Sequence, residues 1–276
     1  MINFNQIDVL ISGSGVLAQS ASIDSSNSLT PIYSIGKYNP CNHSPNGAIK
    51  NNFSISYIPE TSNEINYNIV SYLRTLANDV IHSGIQVVIG GVTGYNCYLN
   101  SYSLRVAPNE ILNVSVNYSS FQEISGNLNQ KQNTTYNAKD FIPYGFSTFI
   151  LNSGDASNLP VFDFSYDFSA NWEPIYKVGQ KTPTQVNLMS ASESLSFTRD
   201  TLTKIQFSGQ KLNEGYFTIN GNDTTIDIYN WQVYCSGTGS FTPLIFDISG
   251  AKINNIQLSA QINDIVRVKT TAQKFY

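Results

Sequence analysis

Pro31-Ile-Tyr-Ser-Ile-Gly36 returns later in the chain as Pro174-Ile-Tyr-Lys-Val-Gly179, at an offset of 143 residues (174 − 31). The match runs upstream without a gap. Ser22, Asp24 and Ser26 fall on Ser165, Asp167 and Ser169, and Leu29 falls on Trp172. Downstream, Pro40 falls on Pro183. A second ungapped block follows at an offset of 154 (251 − 97), where residues 97–121 align with residues 251–275. In it Leu99-Asn100 meets Ile253-Asn254, Leu104 meets Leu258, Asn109-Glu110-Ile111 meets Asn263-Asp264-Ile265, and Phe121 meets Phe275. Two blocks in the same order indicate an internal duplication, and the period is that of a domain, not of a solenoid unit.

Length agrees with two domains, since 276 residues divide into halves that can each bury a core. Charged residues make up 12 % of the chain and aromatics another 12 %, so the polar surface must be built largely from Ser, Asn, Thr and Gln. Such a composition belongs to a folded, β-rich protein and not to a disordered one. With 15 Lys plus Arg against 19 Asp plus Glu, the chain lacks the basic face of a sequence-reading nucleic-acid binder. Met1-Ile-Asn-Phe-Asn-Gln-Ile-Asp8 has no basic stretch leading into an apolar core, so no secretory signal is expected, and no apolar run approaches the length of a membrane span.

Alternation places the strands. Val9–Ile11 and Val16–Ile23 read as strands broken by Ser12-Gly-Ser-Gly15. Thr148–Leu151 and Val161–Phe168 are their copies, with Phe162, Phe164, Tyr166 and Phe168 on one face. Residues 39–47, rich in Pro, Asn and Gly, read as a surface connection. Phe53-Ser-Ile-Ser-Tyr57 alternates, and Leu195-Ser-Phe197 is its counterpart after a one-residue deletion. Ile69, Val70, Leu73, Leu76, Ala77, Val80 and Ile81 build one apolar stripe, the mark of an amphipathic helix stopped at Gly84. The second half has no such stripe. There Tyr216–Ile219 and Thr225–Tyr234 read as a hairpin turning at Gly221-Asn-Asp223. Tyr98–Val106 and Ile111–Tyr118 form a hairpin through Ala107-Pro-Asn-Glu110, copied by Lys252–Ala260 and Ile265–Thr271. The expected architecture is mainly β: two tandem β-sandwich or barrel domains, residues 1–127 and 141–276, with a polar linker at 128–140 and one helix in the first domain.

The chain offers little chemistry. Its two histidines, His43 and His82, lie near no nucleophile motif. Cys41, Cys97 and Cys235 are too few and too scattered for a disulfide framework, and Cys41-Asn-His43 is at most half of a metal site. Gly13-Ser-Gly15 lacks the Lys-Ser/Thr of a phosphate loop. Asp24 and Asp167 recur one per half and read as turn or ladder-end residues bonding backbone amides, while Glu110 and Asp264 sit in hairpin turns. No catalytic, cofactor or metal residue is assigned, and an enzyme is not expected. Tyr95, Tyr98 and Tyr102, with Trp172 and Trp231, invite a sugar-stacking reading. Alternating rings on strands are more often core and cross-strand pairs.

The stretch Asn96-Cys-Tyr-Leu-Asn-Ser-Tyr-Ser-Leu-Arg-Val-Ala-Pro-Asn-Glu-Ile-Leu-Asn-Val-Ser-Val-Asn-Tyr118 resembles the C-terminal hairpin of the tail tube proteins of long-tailed bacteriophages. There a strand with Ser at alternate positions leads into Ala-Pro-Asn/Gly-acidic, a last alternating strand and then a glycine such as Gly126. Residues 253–268 are a weaker second example. The resemblance implies a β-sandwich or small barrel flanked by a helix, whose subunits join into rings through continuous strands. It further implies a virion tail location, contacts with other tail proteins, and passage of DNA without specific binding. With two units per chain, three chains would close a pseudo-sixfold ring. The alternative expectation is a tandem β-sandwich carbohydrate-binding or adhesin module.

Overall fold

The structure is a computed structural model, and it describes residues 7–27, 29–45, 49–58, 83–107, 110, 113–128, 161–200, 206–211, 216–220, 230–233, 244–247, 252–259 and 267–276. The expected helix at residues 69–81, the strand at 148–151, the linker and His82, Cys235 and Asp264 lie outside them. Among the described residues every regular element is a strand.

In chain order these are β1 (Val9–Ile11), β2 (Ser14–Gly15), β3 (Leu17–Ser26), β4 (Leu29–Ile32), β5 (Asn42–Pro45), β6 (Lys50–Ile58), β7 (Ile85–Ile89), β8 (Val92–Val106) and β9 (Asn113–Ser120). The second half supplies β10 (Val161–Ile175), β11 (Gln185–Asp200), β12 (Gln206–Lys211), β13 (Tyr216–Asn220), β14 (Asn230–Val233), β15 (Leu244–Asp247), β16 (Lys252–Ser259) and β17 (Arg267–Phe275). All pairings are antiparallel.

One continuous run of eight strands dominates, in the order β3-β6-β9-β8-β10-β11-β17-β16. Its two quarters match pair for pair. From Ala18 to Ser26, each β3–β6 pair reappears in β10–β11: Ala18↔Tyr57 becomes Val161↔Arg199, Ile23↔Phe53 becomes Tyr166↔Leu195, and Ser26↔Lys50 becomes Ser169↔Ser192. The bulge between Ala18 and Ser20 recurs between Val161 and Asp163. The β8–β9 hairpin maps onto β16–β17 in the same way, including its bulge: Leu99/Ser101 in the first, Ile253/Asn255 in the second. The junctions agree as well, since Phe53↔Tyr118 corresponds to Leu195↔Ala272. A one-residue slip of register inverts every side chain on a strand, so agreement down to the bulges is demanding.

The two halves are joined by strand pairing: β10 lies against β8, with Phe164↔Val106 at one end and Ser169↔Ser101 at the other. β8 is long enough to fork. Its first half pairs with β7, which carries β1 and β2, and its second half pairs on the same edge with β10. The boundary between the halves is therefore crossed by a ladder of backbone hydrogen bonds.

One face of the eight strands is apolar. Phe53, Ile55 and Tyr57 from β6, Tyr102 and Leu104 from β8, Val114, Val116 and Tyr118 from β9, and Phe164, Tyr166, Phe168, Leu195 and Phe197 from β10 and β11 are buried in one cluster with Val9, Ile11, Val87 and Ile89. Burying a large side chain contributes roughly 1.5–3 kcal/mol, so this face is the main source of stability. Burial raises the Tyr57, Tyr102 and Tyr166 hydroxyls, and the charge of Glu193 adds to the rise at Tyr166. Tyrosines in the unfolded chain ionise near pH ~10. The folded state keeps its protons to higher pH, so this stabilisation is complete below about pH 10 and is lost as pH climbs above it. In an alkaline titration these phenols are expected to ionise only as the sheet signal disappears. Reversible ionisation of all tyrosines with the sheet intact would contradict the core assignment.

Two local expectations change. Residues 42–45, within the expected surface connection, form β5 and pair with β4 as a hairpin. Tyr216–Asn220 pairs with Gln206–Lys211, not with the segment after Gly221, while Asn230–Val233 pairs with Leu244–Asp247.

Candidate functional surface

The opposite face of the eight-stranded run is built from small polar side chains. Period-2 alternation puts Ser20, Ser22 and Asp24 of β3, Ser54 and Ser56 of β6, and Ser115 and Asn117 of β9 on that side, with Ser101, Ser103 and Arg105 of β8. The second half continues it with Ser165, Asp167, Ser169, Ser194, Ser196, Thr271 and Gln273. The side chains tie strand to strand. Asn117 Nδ2 donates to Ser101 Oγ (2.8 Å), Ser103 Oγ donates to Asp167 Oδ1 (2.6 Å), Ser169 and Ser192 share a hydroxyl bond (2.8 Å), and Ser196 and Thr271 share another (2.7 Å). Cross-strand pairs of this kind each contribute a fraction of a kcal/mol, roughly 0.2–1. Their larger consequence is that Ser101, Ser103, Ser169, Ser192, Ser196 and Thr271 are engaged with neighbouring strands across the polar face.

Asp24 and Asp167 are therefore not at ladder ends. Both lie within strands on the polar face, exposed, and Asp167 accepts from a side-chain hydroxyl. Their recurrence was legible in the sequence, but their partners were not, because the β8–β10 contact is non-local. Glu110 is exposed in the β8–β9 turn, where its amide donates to the Ala107 carbonyl (3.2 Å).

The rings proposed as a sugar platform separate. Tyr98, Tyr102 and Trp172 are core residues, exposed by 8, 0 and 7 %. Tyr98 and Trp172 pack ring to ring at 5.1 Å, and the indole N–H donates to the Leu99 carbonyl (2.8 Å). Tyr95 remains exposed, while Trp231 belongs to β14 with its side chain outside the described residues. Cys97 is buried, and its thiol is pushed up to about 12 by burial, so it is not a nucleophile near neutral pH. Cys41 is exposed, beside His43 on the β4–β5 hairpin. Among the described residues no three His, Cys, Asp or Glu side chains gather as a metal site.

A feature that the repeat foretold only in part is the place of its own motif. Pro31–Gly36 and Pro174–Gly179 lead into the tips of two hairpins, not into core. Gly36 and Gly179 share the left-handed φ (84° and 83°), and each turn is closed by matching bonds: Lys37 N to Ser34 O and Gln180 N to Lys177 O, both 3.1 Å. Ile35 and Val178 stand fully in solvent at these tips. Isolated exposed apolar residues are ordinary, but the same position exposed in both halves is a repeated feature. Four antiparallel steps separate β3 from β10 in the sheet, so the two strands run the same way and both hairpins extend past the same rim.

No model of a known protein family matches this chain, and no curated protein matches its sequence. Among the described residues no helix is long and apolar enough to cross a membrane.

Proposed function

We propose that the chain is a non-enzymatic structural protein of a bacteriophage tail. It is the tail tube or a closely related ring-forming component, made of two tandem copies of one β unit. The observation that carries this reading is the eight-stranded run, in which two units of matched register stand side by side with one apolar and one serine-rich face. The hairpin of residues 96–118 supplies the resemblance to tail tubes.

A conduit for DNA needs a lining that phosphates neither stick to nor are blocked by. Affinity for DNA grows with each Lys or Arg brought to a phosphate. Among the described side chains the polar face carries four, Lys50 on β6, Arg105 on β8 and Arg267 and Lys269 on β17, offset by Asp24, Asp163 and Asp167. Hydroxyls and amides fill the rest. Three chains with eight strands each would close 24 strands. At a strand spacing of about 4.8 Å and a tilt of about 40°, such a barrel spans roughly 48 Å between opposite backbones, which leaves a wide bore after side chains. The apolar tips on one rim then serve as the contact between successive rings.

Electron microscopy of the concentrated full-length protein tests the reading. Rings with a stain-filled centre, stacking into tubes, are expected, and Ile35→Asp combined with Val178→Asp is expected to keep rings and abolish stacking. Uniform single particles without a hole, at any concentration, would refute the assignment.

A further inference from the structure

Resting on that ring reading, and extending it to named backbone edges, we infer that β16 of one chain pairs with β3 of a second copy. The pairing is antiparallel and repeats the register that joins β8 to β10 within the chain.

The chain contains its own template. β10 is the counterpart of β3, and β16 is the counterpart of β8, each by the same offsets that relate the rest of the halves. Within the chain, β8 and β10 are fused edge to edge: Ser165↔Arg105, Tyr166↔Leu104, Asp167↔Ser103 and Ser169↔Ser101. Moving each residue to its counterpart gives Ser22↔Ser259, Ile23↔Leu258, Asp24↔Gln257 and Ser26↔Asn255 between two chains. Among the described residues β3 has only β6 as a ladder partner and β16 only β17, with β13 packed near β16 but not paired with it. A terminal strand presents a row of backbone donors and acceptors, and proteins that stay monomeric blunt it with Lys, Pro or a bulge. Leu17-Ala-Gln-Ser-Ala-Ser-Ile-Asp-Ser-Ser26 has no Lys and no Pro. The bulge on β16 is the same as that on β8, which pairs on both sides.

Burial supports the same partner. Trp172, which sits at the intrachain junction, is 7 % exposed, whereas its counterpart Leu29 is 60 % exposed. On the same strand, β10, Phe164 and Tyr166 are buried, but their counterparts Ala21 and Ile23 on β3 are only half-buried. The half-chain with a neighbour hides these positions, and the one without leaves them open. The polar chemistry also transfers. Asp167 accepts from the Ser103 hydroxyl, and Asp24 would face Gln257, whose amide is a donor. Because the two edges differ, the contact is head-to-tail. Each added chain presents a fresh edge until the ring closes.

The test uses the full chain with Cys41→Ser and Cys235→Ser, carrying Ser22→Cys and Ser259→Cys, oxidised mildly and run without reductant. Opposed residues on neighbouring strands lie within disulfide reach. The expected result is a shift from 30.5 kDa to twofold and threefold species. Either cysteine alone should stay monomeric on the gel, as should Ser22→Cys with Asn255→Cys, which is four residues out of register. Cross-linking through Ser22→Cys alone would mean like-with-like pairing and overturn the proposal. Rings in the microscope without the expected cross-link would overturn this interface while leaving the ring reading standing. Single particles without cross-link would remove both.

Discussion

Trp172→Ala is expected to be among the most damaging single substitutions in the chain, lowering the unfolding free energy by about 3–5 kcal/mol. Three effects combine. The indole is almost fully buried, it packs on Tyr98 with 5.1 Å between ring centroids, and its N–H donates to the Leu99 carbonyl. Tyr98 and Leu99 belong to β8 and Trp172 to β10, so the loss falls on the seam where those two strands meet. Trp172→Phe should cost less, roughly 1–2 kcal/mol, since it keeps ring packing and loses chiefly the hydrogen bond. Leu29→Ala, at the equivalent but exposed position, should stay within about 0.5 kcal/mol in dilute single chains. Chemical denaturation at low protein concentration separates the three. Equal effects of Trp172→Ala and Leu29→Ala on the single chain would deny the seam its role.

Gly126→Ala is expected to cost on the order of 3 kcal/mol. Gly126 adopts φ 106°, and an added Cβ would come within 2.2 Å of the Gly91 carbonyl oxygen. Backbone strain alone costs about 1–3 kcal/mol, and the contact here is with backbone, which cannot rotate aside as a side chain can. The neighbouring bridge, Thr93 N to Ser125 O (2.7 Å) and Ser125 N to Thr93 O (3.0 Å), holds the two segments together. Gly36→Ala isolates the φ term, because Gly36 has a positive φ of 84° and open space around it. Its cost should be about 1 kcal/mol. Thermal or urea unfolding of both variants gives the comparison, and a Gly126→Ala no worse than Gly36→Ala would show that the Gly91 segment yields easily.

Much of this fold was legible because two stretches of the sequence align with two others. Offsets of 143 and 154, found from Pro31–Gly36 and from residues 97–121, predict which strands pair alike. Alternation in Phe53–Tyr57 and Phe164–Phe168 identified the core face because period-2 patterning and burial have one cause. Phe162, expected on the same face, sits instead at the β10 bulge, half-buried under the Arg267 guanidinium and outside the core cluster. The β8–β10 seam was not legible: its partners are about 60 residues apart (164 − 106 = 58), and nothing local marks which edge a strand will seek. The place of Pro31–Gly36 was not legible either, since the repeat marks the motif without saying whether it is buried. Ile35 and Val178 stand in solvent, where an isolated chain gives them nothing to pack against. The serine-rich face follows from low charge in the composition, but its hydrogen-bonded continuity across both halves needed the register.

The number of chains in the proposed ring tests the account most directly. Native mass spectrometry of the assembled full-length protein reads it without assuming a structure. Three copies of a 30.5 kDa chain, with end-on images showing six similar lobes, are the result expected of two equivalent units per chain joined head-to-tail. A dimer related by a simple two-fold axis, or a monomer that persists at high concentration, would contradict it.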